Sequence, residues 1–285
     1  MATSAQILID RTRRFLRDWP DNDSLTASAT STATTFTVAD TTKYAVNQPL
    51  ELDGETVLVR ALASSTNLTV KRGAYASTNV SHASSAAVLI KPQFFSVEIL
   101  DALNYGLDMT FPWLYKEVID TSLTTAANTY EYTIPTVTAT GQAIARLSHV
   151  ELLQSGDFSY RGIDAWTVRR GATPKLKLRR MYAVGVTIRL HGYGPFGHLV
   201  NFTDTVDAQY PYQAEMPLVE FAGAYLLESG EARRVRVDTG PTDTRESANR
   251  VGSSMAASNA VLARFEKNLA RCAMPPISRS TVAVM

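Results

Sequence analysis

The sequence predicts an α+β fold, in which a bundle of about four helices carries an inserted small all-β module, a second antiparallel β region and an extended C-terminal tail. Three observations lead to this prediction. Apolar residues recur with the helical period near both ends of the chain, they follow a strand-like pattern in between, and two prolines interrupt the last segment. With 285 residues, of which 45% are hydrophobic, the chain is long enough for one or two domains.

Two helices are predicted in the first part of the helical core, which we assign to residues 1–25 and 93–113. The first helix, over residues 5–18, gathers apolar groups on one face and is stopped by Pro20. The second spans residues 94–109, where leucine and isoleucine recur four residues apart. Both helices therefore need a partner for their apolar faces.

The small β module is predicted over residues 26–92. Its composition changes abruptly to serine, threonine, alanine and valine, and the apolar period changes from 3.6 to 2. The pair Asp53-Gly54 is typical of a tight hairpin turn. We predict short strands at residues 36–38, 50–52, 56–62, 68–71 and 87–90.

A second β region is predicted over residues 114–205. Segments rich in β-branched and aromatic residues alternate there with glycine and proline turns, which favours one antiparallel sheet of four or five strands. We predict its strands at residues 130–134, 146–153, 166–169, 175–179 and 184–190.

The C-terminal helices of the core are predicted over residues 206–272, followed by an extended docking tail over residues 273–285. The first of these helices is predicted at residues 215–234 and the last at residues 243–271. In the last helix, apolar residues separated by alternating gaps of four and three form a heptad seam that Ser258 interrupts. The tail ends in apolar residues after two prolines. We predict that the seam and the tail form the self-assembly and docking surface, which consists of Val251, Met255, Leu262, Phe265, Leu269, Pro275, Pro276, Ile277, Val282 and Val284.

The chain has no global excess of positive charge that would attract nucleic acid or an anionic membrane, because 28 lysines and arginines face 27 aspartates and glutamates. Any contact with DNA must therefore be local or steric. The densest basic stretch contains Lys175, Lys177, Arg179 and Arg180, and the two-residue period of a strand places the first three on one face. Two interpretations stay open. The stretch is either a solvated sheet face or a patch that faces DNA phosphates or an acidic partner.

The N-terminal residues and the single cysteine indicate where the protein is made. Arginines and aspartates near the N-terminus replace the apolar core of a signal peptide, and no run of roughly 18 apolar residues occurs. Cys272 has no partner for an intramolecular disulfide. We expect a soluble protein made in the cytoplasm, with no membrane partner.

We predict that the protein is not an enzyme and uses neither a cofactor nor a metal, because its possible motifs lack their structural context. The GxGxxG string within residues 191–197 follows a predicted strand, but Pro195 interrupts it and no helical period follows. Asp238-Thr-Gly240 is the aspartic-protease string, yet no second copy exists and a loop is the more common explanation. The four histidines are too scattered for a local zinc site.

Several segments come in the order typical of neck proteins of tailed phages. They read TYEYTIP at 129–135, AWTVRRG at 165–171, PKLKLR at 174–179, TIRLHGYG at 187–194 and LLESGEA at 226–232. Over residues 93–272 the chain resembles the head-to-tail adaptor (connector) proteins, and its first β module resembles a small insert of phage neck and tail proteins.

The resemblance implies a structural virion protein at the neck, assembled in the host cytoplasm. Such a protein forms a homo-oligomeric ring of twelve copies below the portal and connects the capsid to the tail. Its expected partners are the portal, the next neck or tail protein, and double-stranded DNA as non-specific cargo during genome ejection. The tail after Pro275 would then dock on the portal or on a neighbouring subunit. The alternative is a phage tail or fibre component whose β module binds a carbohydrate or a receptor.

Overall fold

The structure is a computed structural model that describes residues 3–135, 137–138, 141–142, 144–153, 159–163, 165–171, 173–237, 259–274 and 282–283. Its helices are α1 (Ala5–Leu16), α2 (Ser96–Thr110), α3 (Glu215–Val237) and α4, which is described over residues 259–272. Its strands are β1 (Asp21–Ser24), β2 (Thr35–Thr37), β3 (Pro49–Leu52), β4 (Glu55–Leu62), β5 (Asn67–Lys71), β6 (Ala87–Ile90), β7 (Lys116–Thr124), β8 (Glu131–Thr133), β9 (Arg146–Leu153), β10 (Tyr160–Gly162), β11 (Trp166–Arg169), β12 (Lys175–Leu178), β13 (Thr187–Gly194) and β14 (Val282–Ala283).

The predicted fold class, a helical bundle with a small inserted β module, is wrong. The protein is mixed α and β and mostly β, with three antiparallel sheets in its described part. The sheet orders are β1-β6-β3-β4-β5-β2, then β10-β9-β13-β7 with β14 beside β9, and β11-β12-β8. The second β region is thus two sheets, where the sequence predicted one.

Strand β7 shows why the sequence underestimated the β content. Its residues KEVIDTSLT place apolar side chains only at positions 118, 119 and 123, so they do not alternate regularly. The segment is nevertheless extended because it pairs with β13 over nearly its full length. Pairing with a distant strand therefore outweighed a weak local pattern.

In the first module, all five predicted strands are present, and β1 adds a sixth. The predicted turn at Asp53-Gly54 is confirmed, since both residues have positive φ angles, 48° and 81°, as a type I′ hairpin requires. A side chain on Gly54 would also lie 2.6 Å from Cζ of Phe202. The hairpin therefore packs closely against the segment that leads into the C-terminal helices.

The four helices share one apolar core, and glycine allows two of them to approach closely. A Cβ at Gly106 of α2 would lie 2.6 Å from Cδ1 of Leu218 and 3.0 Å from Cδ1 of Phe221, both on α3. Phe265 and Leu269 of α4 belong to the same core. The predicted helix over residues 243–271 is observed only from residue 259, since residues 238–258 lie outside the described part.

A buried charged network joins the first β module to the helices. Arg13 of α1 donates to the carboxylate of Asp18 at 2.8 Å and, through Nη2, to Glu51 of β3 at 2.9 Å. The backbone N–H of Ser96, at the start of α2, donates to Glu51 at 3.1 Å. Glu51 thus neutralises Arg13 and stabilises the positive end of α2, which connects three elements through one side chain.

Candidate functional site

Part of the heptad seam predicted for self-assembly packs inside the chain's own core. Phe265 and Leu269 are only 4% and 3% exposed, and the ring centroid of Phe265 lies 4.7 Å from that of Phe221. Leu262 is half-buried at the edge of the same core. Val251 and Met255 lie outside the described residues.

Of the predicted docking tail, residues 273–285, the structure describes residues 273–274 and 282–283. Val282 pairs with Leu147 and Ala283 with Arg146, both on β9 of the same chain. This pairing extends the chain's own sheet. The remaining predicted tail residues, Pro275, Pro276, Ile277 and Val284, lie outside the described residues, so docking on a partner stays a prediction.

An apolar groove lies between α2, α3 and α4, and we call it the helical groove. Its volume is about 1070 Å³, and Phe221, Phe265 and Leu269 are among the side chains that line it. Tyr105 and Trp113 also line the groove while remaining largely exposed, Trp113 at 55%. The groove can therefore bury apolar side chains of another molecule.

The rim of the helical groove had a signal in the sequence that was missed. Tyr105 and Met109 are spaced four residues apart, which places two large apolar groups on a second face of α2, and Trp113 follows just beyond the end of this helix at Thr110. Tyr225 of α3 completes the rim, with its ring centroid 5.1 Å from that of Tyr105. All four side chains are exposed.

The predicted basic patch lies on and beyond β12. Lys175 and Lys177 share the face opposite to the buried Leu176 and Leu178, while Arg179 and Arg180 follow the end of the strand. Among the described residues, no carboxylate forms an ion pair with any of the four cations. Instead, Nζ of Lys177 lies 5.3 Å from the ring centroid of Tyr130, and Cζ of Arg180 lies 5.0 Å from that of Tyr182.

Arg179 and Arg180 also line a cleft of about 870 Å³, which we call the arginine cleft. Arg161 of β10 lines the same cleft, together with apolar residues that include Leu152 and Ile163. No local pattern indicated Arg161, because it is separated along the chain from the other two arginines. Pairing of β10 with β9 brings it there.

Glycines of the GxGxxG string have a structural role in β13. Gly192 and Gly194 lie within β13, and a Cβ at Gly192 would lie 2.7 Å from the carbonyl oxygen of Arg146 on β9. Glycine is thus required for a close approach of two strands. The Asp238-Thr-Gly240 string lies outside the described residues.

Two histidines that are distant in sequence are brought together on β9 and β13. His149 and His191 are register partners, and Nε2 of His191 lies 2.9 Å from Oε2 of Glu151. Burial raises the pKa of Glu151, but the hydrogen bond from His191 and the neighbouring cationic groups outweigh burial, so the pKa lies below its usual value. Within the described ranges, no group of three or more His, Cys, Asp or Glu residues is arranged to hold a metal ion.

None of the helices in the described part of the chain is both long enough and apolar enough to cross a membrane. No protein-family model matches the sequence, and no curated protein matches it.

Proposed function

We propose that the protein is a structural subunit of a phage neck, a head-to-tail adaptor that forms a ring below the portal, connects the capsid to the tail and surrounds the DNA passage. The observation that carries this proposal is the helical groove with its exposed aromatic rim. Contiguous exposed apolar surface marks sites of protein interaction, and tyrosine and tryptophan are enriched where binding energy concentrates.

The order of the segments that resemble neck proteins supports the more specific part of the proposal. A ring forms when one surface of each subunit binds a different surface of the next and the rotation closes. The helical groove supplies one of these two surfaces. The twelvefold number, the portal as neighbour and the location in the virion neck come from the resemblance.

Native mass spectrometry and electron microscopy of the purified chain, with and without a portal protein, test the proposal. We expect closed rings of wild-type protein. Replacing an aromatic anchor commonly costs about 2 kcal/mol or more, so Trp113→Ala combined with Tyr225→Ala should weaken assembly by roughly 30-fold or more.

The matched control is Trp19→Ala, which removes another exposed tryptophan that lies outside the helical groove. It should assemble like the wild type, and thermal unfolding should show that both variants are folded. A wild-type chain that stays monomeric with and without portal would contradict the proposed function. Unchanged rings in the double variant would contradict the role of the groove.

A further inference from the structure

We propose that the arginine cleft and the exposed face of β12 together bind phosphate groups of double-stranded DNA. This inference rests on the proposed function only for the choice of DNA as the source of the phosphates. The positions of the cations follow from the fold of a single chain and do not depend on its assembly.

The first argument is the segregation of charge. Residues 159–189 contain eight lysines and arginines and one aspartate, whereas the rest of the chain contains 20 basic and 26 acidic residues. The net charge of the chain is therefore near zero although this one segment is strongly basic. Such local clustering produces a positive potential that attracts polyanions.

The second argument is that the fold places these cations on adjoining surfaces. Arg169 of β11 is the register partner of Lys175, and Lys177 lies two residues further along β12 on the same face. Arg179 lines a small cleft together with Lys177 and also lines the arginine cleft with Arg180. The sheet face and the cleft are thus continuous through Arg179.

The third argument is that no carboxylate among the described residues neutralises the arginines of the cleft. Arg72 and Arg189 are held by the carboxylates of Glu55 and Glu151. Arg161, Arg179 and Arg180 form no ion pair with any residue that the structure describes. A guanidinium group presents a planar fork of donors that matches a phosphate, so this cleft suits phosphate oxygens.

Two features favour duplex DNA over single strands. Single-strand binding uses free aromatic rings on which bases stack. Here Tyr130 and Tyr182 are covered by Lys177 and Arg180. The regularly charged backbone of a duplex needs only the cations, and contact with it requires no base recognition.

The test measures binding of the full chain to a short labelled duplex by fluorescence anisotropy, between about 50 and 200 mM salt. The triple variant Arg161→Gln, Arg179→Gln, Arg180→Gln is compared with Arg14→Gln, Arg60→Gln, Lys71→Gln. Both remove three exposed positive charges and change the net charge equally. We expect the cleft variant to lose at least about tenfold in affinity and to reduce the salt slope by about 2 to 3, while the control changes little.

Three results would overturn the inference: no binding by the wild type at the lowest salt, an equal loss in both triple variants, or competition by polyglutamate as effective as that by unlabelled duplex. The last result would identify an acidic protein as the partner. If rings form but the chain does not bind DNA, only this inference is contradicted. If the chain binds DNA but does not form rings, only the proposed function is contradicted.

Discussion

Glu55 is a fully buried carboxylate that organises one end of the first β module. It accepts hydrogen bonds from Nε of Arg72 at 2.6 Å and from the backbone N–H groups of Val80 and Gly73 at 3.0 and 3.2 Å. Nε2 of His82 lies 3.1 Å from the same carboxylate. Burial raises the pKa of Glu55, but these hydrogen bonds and the charge of Arg72 outweigh burial, so the pKa is lowered.

The lowered pKa of Glu55 predicts loss of stability in acid. A carboxylate whose folded-state pKa is lowered contributes stability above its unfolded-state pKa, about 4.3, and this contribution is lost as the pH falls through the folded-state value. Glu55→Gln should therefore reduce the free energy of unfolding near neutral pH and make it depend less on pH below the unfolded-state value. Urea unfolding of both proteins across this range measures the effect.

Asp40 provides the control for the acid prediction. Its pKa is also lowered, mainly by the side-chain hydrogen bond with Thr42, but the group is on the surface. Asp40→Asn should leave the stability near neutral pH almost unchanged. If Glu55→Gln unfolded with the same midpoints as the wild type at every pH, the buried network would not contribute as described.

At the scale of elements, the crossing of α2 and α3 depends on Gly106. Alanine would normally stabilise a helix interior by about 1 kcal/mol relative to glycine. Here, the added methyl group would meet Leu218 and Phe221, which are both buried and cannot move freely. We expect Gly106→Ala to destabilise the protein by about 1–3 kcal/mol, as overpacking of a core does.

Gly171→Ala is the comparison for Gly106→Ala. A Cβ at Gly171 would meet nothing within 4 Å, and the backbone there does not have a positive φ. Thermal unfolding should show little change for this variant. A higher melting temperature for Gly106→Ala than for the wild type would mean that the two helices have room to separate.

At the scale of the whole molecule, Arg13 couples the first β module to the helical core. Removing one partner of a buried ion pair typically costs about 3–5 kcal/mol, because the remaining charges stay buried. Arg13→Met keeps the length of the side chain but leaves Asp18 and Glu51 without their cation. We expect calorimetry to show a lower melting temperature and a separate transition for the β module.

Arg14→Met tests whether the position or merely the charge matters, since Arg14 is the exposed neighbour of Arg13 on α1. Its unfolding should remain a single transition close to that of the wild type. A single, unshifted transition in Arg13→Met would show that the module and the helices are coupled by other contacts.

Local structure could be predicted from the sequence wherever a short pattern was sufficient. The turn at Asp53-Gly54 follows from the backbone conformations that these residues tolerate, and the five predicted strands of the first module follow from their alternation. The start of α3 at Glu215 was also predicted from the sequence. These features depend on residues that are close together in the chain.

Three features depend on tertiary packing: the balance of α and β, the division of the second β region into two sheets, and the composition of the surfaces. Strand β7 exists through its pairing with β13, and Arg161 reaches the arginine cleft through β10. Phe265 and Leu269 have the spacing of a seam between subunits, yet their own chain buries them. A periodic pattern shows that a face needs a partner, but the partner is chosen by packing between residues far apart in sequence, which local patterns do not encode.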